Sequence, residues 1–257
     1  MIHPSAVVSP KSELGTDVEI GPYCVIGDEV RIGDRTRLHA HLVVEGPIVI
    51  GADNEFYPFS SIGARSQDLK YAGEPTGARI GDRNTFREFV TVHRGTTSEA
   101  DTVIGSDNHF LAYAHVAHDS VVGNHCILSN AATLGGHVTI EDYVILSGLA
   151  GVHQFCRVGA HSLIGGCTKI VQDVPPFTIA DGHPAQLRGL NIVGLQRRGF
   201  SEEQIRTLKN AYKTLFLKKE ANLAAQTEVL VASKTPKDEN VLKILEFLQS
   251  SKRGVVR

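Results

Sequence analysis

The chain contains twelve histidines, and some of them stand near a carboxylate or a glycine that could assist an imidazole in catalysis. His118 is followed directly by Asp119, and Gly136 comes three steps of six positions after His118. Imidazole titrates near neutral pH and can take a proton from a hydroxyl group. We therefore regard His118 as a candidate general base, Asp119 as the carboxylate that orients it, and the Gly136 N–H as an oxyanion donor. The chain must turn at this point, because adjacent side chains of a straight strand face opposite sides.

The same threefold step leads from Asp119 to His137, from Gly136 to Gln154 and from Gly135 to His153. His115 lies on the same face, three residues before His118. If the fold completes one turn over that spacing, all these side chains lie at one outward corner over three successive turns. Two strand spacings then separate the outermost of them, or about 10 Å along the axis. The spacing therefore predicts one site rather than several separate histidines.

The apolar residues predict the required repeat. Steps of six from Ile2 to Ile170 give 29 positions, of which 26 carry an aliphatic residue or Phe. A helix or a hairpin array does not hold one phase over such a length, whereas a solenoid of short strands does. We predict a mainly β fold, a parallel β-helix of triangular cross-section with three hexapeptides per turn. Many of the 25 glycines follow the inward positions, so the glycine excess belongs to this repeat.

The repeat has two interruptions and one end. Residues 64–79 lose the inward apolar pattern and then resume it in phase, which predicts an excursion loop, and a shorter polar interruption covers 96–102. Long loops on a regular scaffold commonly carry function. The repeat ends near Val174, so we place the β-helix in residues 1–184 and an α-helical C-terminal domain in residues 185–257.

Three helical segments are predicted in the C-terminal domain. Ser201 and Gln204 form a capping-box signature, and the helix that they open has an apolar stripe traced as far as Lys219. A second segment covers Leu223–Val231, and a third begins at Thr235.

Composition excludes several classes of protein. The formal net charge of −2 provides no basic field for nucleic acid, so no nucleic-acid partner is expected. No apolar run approaches the roughly 18 to 20 residues that span a bilayer, and no secretory leader pattern is present. We therefore expect a cytoplasmic protein with no membrane span. The four cysteines show no CxxC spacing, which argues against a structural zinc knot.

A catalytic metal is not expected either. Hexapeptide-repeat carbonic anhydrases hold zinc with two histidines five residues apart and a third about two turns away. Neither His118 nor His153 has a histidine five residues away. We therefore predict no metal site.

Several strings are more specific than the repeat: Gln67–Thr76, Ile80–Asn84, Thr91–Thr96, Ala114–Asp119, Val152–Cys156, Gln172–Pro176 and Gln196–Phe200. Together they closely resemble the UDP-N-acetylglucosamine O-acyltransferases, the hexapeptide-repeat enzymes that open lipid A synthesis, and the similarity extends over residues 1–257. The resemblance implies a left-handed β-helix and a homotrimer with active sites between subunits. It also implies transfer of an (R)-3-hydroxyacyl chain from acyl carrier protein to the 3-hydroxyl of UDP-N-acetylglucosamine. The acyl chain would arrive on the phosphopantetheine of the carrier protein, and no further cofactor is implied.

The resemblance also implies roles for individual residues. His118, Asp119 and Gly136 keep the catalytic roles given above. Substrate contacts are implied for Gln67, Asp68, Lys70, His115, His137, His153, Gln154, Asn191, Arg197 and Arg198, the last three toward nucleotide phosphates or the acidic carrier protein. Gly166 lies where the family's acyl chain ends, and its missing side chain predicts a longer hydroxyacyl chain. Val193 is a departure, because some members carry Glu there.

Two alternatives remain open. The same base and oxyanion donor would serve an N-acyltransferase that acts on the 3-amino analogue of the sugar nucleotide. The second alternative is a non-catalytic β-helix that binds a partner. This alternative predicts that His118→Ala leaves function intact.

Overall fold

The computed structural model describes residues 1–97, 100–217, 223–232 and 238–257. Short parallel strands wind into a β-solenoid, as the six-residue period predicts, and helices follow. In chain order the strands are β1 (Val7–Val8), β2 (Glu13–Leu14), β3 (Glu19–Ile20), β4 (Val25–Ile26), β5 (Val30–Ile32), β6 (Arg37–Leu38), β7 (Val43–Val44), β8 (Ile48–Ile50), β9 (Glu55–Phe56), β10 (Ser61–Ala64), β11 (Ala78–Ile80), β12 (Thr85–Phe86), β13 (Thr91–His93), β14 (Thr102–Ile104), β15 (His109–Phe110), β16 (His115–Val116), β17 (Val121–Val122), β18 (Ile127–Leu128), β19 (Thr133–Leu134), β20 (Thr139–Ile140), β21 (Ile145–Leu146), β22 (Gly151–Val152), β23 (Arg157–Val158), β24 (Leu163–Ile164), β25 (Lys169–Ile170), β26 (Thr178–Asp181) and β27 (Gln186–Leu190).

Every third strand joins the same sheet, so the solenoid has three faces. Sheet I runs from β1 to β25, sheet II from β2 to β23, and sheet III from β3 through β24 to β26 and β27. Partners within a sheet stand three hexapeptides apart in the regular turns, as in the pair His115 and Thr133. The predicted turn length of three hexapeptides is therefore confirmed.

The two interruptions lengthen a turn by whole hexapeptides. Ile62 pairs with Val92, five hexapeptides on, and Val92 pairs with Val116, four hexapeptides on. These turns therefore exceed a regular turn by two hexapeptides and by one, which is why the apolar phase survives both loops. The first loop is slightly shorter than predicted, because β10 continues through Ala64 and β11 begins at Ala78.

The inward side chains form one continuous core. Phe56, Phe86 and Phe110 are fully buried and stack in register, with ring centroids 4.6 Å apart at each step. Burial of a side chain of this size contributes about 1.5–3 kcal/mol relative to exposure. The repeat thus holds each turn by the contacts it makes with the turns above and below.

The C-terminal segment closes one end of the solenoid. Its helices are α1 (Ile192–Arg197), α2 (Glu202–Tyr212), α3 (Leu223–Ala232) and α4 (Glu239–Ser250), with a π-helical turn at Lys213–Leu217. The capping box of Ser201 and Gln204 is confirmed at the start of α2. Asp238 caps α4, whereas the predicted start at Thr235 and the stripe end at Lys219 lie outside the described residues.

The passage from solenoid to helices is a β-hairpin. Strand β27 pairs antiparallel with β26 in sheet III, so a strand occupies residues that we placed in the helical domain. Leu190, Leu195 and Leu208 belong to a second apolar cluster that packs the helices together. No helix in the described ranges has the length and apolar character needed to cross a membrane.

Candidate active site

The corner between sheets I and II holds the candidate base and its carboxylate. Asp119 adopts a positive φ of 59°, so the chain turns between β16 and β17. The turn brings the side chain of Asp119 back to that of His118, with Nδ1 2.7 Å from Oδ2. Only 12% of the His118 side chain and 2% of the Asp119 side chain are exposed. The structure thus supplies the turn that the sequence hypothesis required.

The Asp119 carboxylate is held as an anion by several donors. Its Oδ1 accepts the Thr96 N–H at 2.9 Å, and its Oδ2 faces His118 Nδ1. Burial alone would raise the pKa of Asp119, but the hydrogen bonds from His118 and Thr96 and the nearby His137 hold it below the ordinary value of 3.8. An anion beside Nδ1 favours the tautomer that carries its proton on that nitrogen, which leaves Nε2 of His118 as the ring nitrogen that could accept a proton.

Gly136 lies against the His118 ring from the next turn. A Cβ added to Gly136 would lie 2.7 Å from Nε2 of His118 and closer still to Cε1. A larger residue would therefore displace the imidazole. Within the described residues the Gly136 N–H donates no hydrogen bond, so it remains available to an oxyanion.

His137 and Asp68 complete the surroundings of the base. The His137 ring meets the His118 ring edge-on at 5.4 Å and stacks on Phe155 at 4.6 Å. Asp68 returns to the corner on the excursion loop, and Asp68, His118 and His137 each present a ligand atom within 4.8 Å of one another. These are the described groups that could hold a metal ion. The histidine spacing does not predict this group of three, because Asp68 lies on the irregular excursion loop.

A pair of imidazoles lies below the base on sheet I. His115 Nδ1 is 2.7 Å from Thr91 Oγ1, and its ring meets His93 edge-on at 5.1 Å. Burial, followed by the neighbouring His93 and His118, lowers the pKa of His115 to about 4. Burial also lowers the pKa of His93, which was not among the predicted site residues. Both rings are therefore neutral at physiological pH.

The other predicted loop residues face solvent beside this corner. Gln67 and Lys70 are exposed, and the Lys70 N–H donates to Asp68 Oδ1 at 2.9 Å. This turn fixes the Asp68 carboxylate and leaves both longer side chains free to reach a ligand.

An open groove of about 550 Å³ crosses sheet I beside the base. Gly136, His153 and Gln154 line one end, and Leu149 lines the other. Gly166 lies one residue before Cys167, which also lines the Leu149 end. A Cβ on Gly166 would meet nothing closer than Gly148 O at 3.5 Å, so the missing side chain leaves open space.

The remaining predicted residues are not brought to the base within one chain. Asn191 is buried, and its side chain caps α1 through the Gly194 N–H and donates to His161 O. The Arg198 guanidinium lies over the Tyr143 ring at 4.4 Å, at the corner between sheets II and III. Arg197 is exposed. In a single chain, therefore, Asn191 has a structural role and the arginines belong to another corner.

Comparison with known proteins agrees with this architecture. The family described as UDP N-acetylglucosamine O-acyltransferase, domain 2, matches residues 173–256, and the bacterial transferase hexapeptide family matches residues 101–136. A protein of Janthinobacterium sp. (strain Marseille), named acyl-(acyl-carrier-protein)–UDP-N-acetylglucosamine O-acyltransferase, is 49% identical over 100% of this chain and 99% of its own. The chain belongs to the UDP-N-acetylglucosamine O-acyltransferase family.

Solved structures of the UDP-N-acetylglucosamine acyltransferases have the same fold. LpxA from Bacteroides fragilis has a TM-score of 0.97 at 38% identity, with 100% of both chains covered. LpxA from Acinetobacter baumannii has a TM-score of 0.96 at 42% identity, covering 100% of this chain and 99% of that one. The resemblance seen in the sequence is thereby confirmed, and the chain is an acyltransferase.

Proposed function

We propose that this enzyme transfers an (R)-3-hydroxyacyl chain from acyl carrier protein to the 3-hydroxyl of UDP-N-acetylglucosamine, the step that opens lipid A synthesis. The observation that carries the proposal is the buried contact of His118 with Asp119, with Gly136 against the same imidazole. The names of the relatives supply the acceptor and the donor, and they favour ester formation over the amide of the alternative.

The geometry supports a two-stage transfer. Nε2 of His118 takes the proton of the 3-hydroxyl as the sugar oxygen attacks the thioester carbonyl, which forms a tetrahedral oxyanion. The Gly136 N–H donates to that oxyanion, and Asp119 stabilises the imidazolium. The intermediate then collapses: the carbon–sulfur bond breaks, and the phosphopantetheine thiolate receives the proton from His118. These residues account for every proton in the reaction, so we propose that no metal or further cofactor takes part.

The residues around the base would hold the acceptor sugar. The Asp68 carboxylate can accept hydrogen bonds from sugar hydroxyls, while Gln67, Lys70 and Gln154 present exposed polar groups on two sides. The open groove over sheet I, lined in part by Gly135, Gly136 and Gly151, would receive the acyl chain.

The groove lacks a second wall in a single chain, and we infer that another copy supplies it. The corner between sheets III and I carries an exposed stack of rings, Tyr23, His41, Phe59, Phe89 and Tyr113, with successive centroids 4.8–5.2 Å apart. Leu149, 64% exposed, lies farther along this corner, at the end of the groove. An apolar stripe of this length indicates an interface.

A homotrimer would cover this stripe and close each groove with a neighbouring subunit. It would also explain why Arg197 and Arg198 lie away from His118 in their own chain. In the assembly they would approach the nucleotide phosphates or the carrier protein of an adjacent site.

The test is a transfer assay with defined substrates. Purified protein is incubated with 3-hydroxyacyl carrier proteins of graded length and either UDP-N-acetylglucosamine or its 3-amino analogue, and the product is identified by mass spectrometry and alkaline hydrolysis. We expect a base-labile ester on the sugar nucleotide. A base-stable amide formed only from the 3-amino analogue would contradict the hydroxyl assignment, and no transfer to either acceptor would contradict the proposed function. Light scattering of the same sample tests the trimer.

A further inference from the structure

Thr96, on the second interruption of the repeat, makes two contacts with the candidate catalytic pair. Its backbone N–H donates to Asp119 Oδ1 at 2.9 Å, and its Oγ1 lies 2.9 Å from His118 Nδ1. Thr96 is only 5% exposed, so water cannot readily replace either contact. One residue thus reaches both the imidazole and its carboxylate.

Ser66 links the same threonine to the excursion loop. The Ser66 hydroxyl lies 2.8 Å from Thr96 Oγ1 and accepts the backbone N–H of Asp68 at 3.1 Å. Ser66 is 6% exposed. A continuous hydrogen-bonded path therefore runs from the Asp68 backbone through two buried hydroxyls to His118.

The path of hydroxyls adds to the backbone pairing between the two loops. They leave the solenoid on consecutive turns, since Ala64 pairs with His93, and the strands that precede them belong to sheet I. The contacts of the hydroxyls are sequence-specific, because backbone pairing alone requires neither a serine nor a threonine.

We propose that Thr96 is a positioning residue for the His118–Asp119 pair, and that Ser66 couples it to the loop that carries Asp68. Thr96 orients the imidazole for proton transfer, and occupancy of the loop by the sugar is transmitted to the base through the two hydroxyls. This inference rests on the proposed function, since it concerns the same transfer reaction.

The experiment compares Thr96→Val, Thr96→Ser and Ser66→Ala with the wild type. Valine keeps the size of threonine and its backbone N–H but removes the hydroxyl, so we expect kcat to fall about 10- to 100-fold, the usual effect of losing a buried hydrogen bond to a charged group. The KM for UDP-N-acetylglucosamine should change little. Thr96→Ser should restore kcat to within about threefold, because serine restores the hydroxyl.

Ser66→Ala should show the opposite pattern. It frees the Asp68 backbone, so the KM for the sugar nucleotide should rise about three- to tenfold while kcat falls less than in Thr96→Val. The double variant should lose less kcat/KM than the product of the single losses, because both changes break the same hydroxyl contact.

Thr36→Val is the matched control for folding. Thr36 is fully buried and its hydroxyl is hydrogen-bonded to Gly51 O, but it lies several turns from the site. The Thr36→Val variant should retain wild-type kcat, and its stability shows how much the loss of a buried hydroxyl destabilises the fold. An unchanged kcat in folded Thr96→Val, or strictly multiplicative losses in the double variant, would overturn the inference. An inactive wild type would instead count against the proposed function itself.

Discussion

The carboxylate of Asp119 lies 2.7 Å from Nδ1 of His118, although the two residues are neighbours in the sequence. The left-handed backbone of Asp119 makes this contact possible, because it turns the chain between β16 and β17. The candidate base and the carboxylate proposed to support it are therefore positioned by the same kind of corner that the repeat forms in every turn.

Replacing the carboxylate by an amide should leave the fold intact and impair proton transfer. Asp119→Asn keeps the shape of the side chain but cannot stabilise the imidazolium, so we expect kcat to fall about 10²-fold or more, within the range for loss of general-base catalysis. Steady-state kinetics measure the effect, and His118→Ala sets the lower limit. Wild-type kcat in Asp119→Asn would show that the carboxylate has no part in catalysis.

Gly136→Ala should disable the enzyme through contact with the base. The added methyl carbon would lie within 3.0 Å of three atoms of the His118 ring, which forces the imidazole to move. We expect at least about a 10²-fold loss of kcat/KM, since small misplacements of a catalytic group have effects of this order. Gly148→Ala is the control for the fold, because a Cβ there meets only Asn130 O at 3.5 Å. Equal activity of the two variants would rule out the tight approach.

Gly166→Met should shorten the preferred acyl chain. A side chain at this position enters open space near the Leu149 end of the groove, so the protein should fold normally. The methionine side chain would then occupy the space that the last methylenes of a long acyl chain need. Each methylene buried in such a groove contributes about 0.8 kcal/mol, so the preference should change by orders of magnitude over a few carbons. Competition between carrier proteins of graded chain length measures it, with Gly166→Ala as an intermediate. An unchanged preference would place the chain end elsewhere.

The stability of the protein should decrease as the pH falls from about 6.5 toward 4. His115 has a pKa of about 4 in the folded state against an ordinary value of 6.5, so the unfolded chain binds more protons across this window. The stabilisation is complete above pH 6.5 and is lost as the pH falls. Between pH 7 and 5 a histidine of this kind changes the free energy of unfolding by about 1–2 kcal/mol.

His115→Gln should therefore lose less stability than the wild type between these two values in urea denaturation. Part of the dependence should remain, because burial also lowers the pKa of His161 to about 4. His3→Gln, at an exposed histidine, is the control. The same pH dependence in all three proteins would contradict the shift at His115.

The sequence was most informative where the structure is periodic. A period of six residues predicts which side chains face inward. Three such steps per turn predict that Gly136 lies beside His118, because the two residues are one turn apart. The same arithmetic fails for the loops, since the return of Asp68 and the approach of Thr96 depend on irregular backbone paths. The spacing is equally silent on Asn191, whose side chain caps α1, since a cap depends on where the helix begins.

The two excursions, which exceed a regular turn by two hexapeptides and by one, suggest how this type of protein can change its chemistry. Each excursion leaves the solenoid and returns to it in register, because Ile62 pairs with Val92 and Val92 with Val116, so the inward residues of the following turns keep their places. Recognition loops can thus be lengthened or exchanged in units of six while the scaffold below them stays the same. Changes in these loops can therefore alter specificity at the corner of sheets I and II without altering the stability of the core.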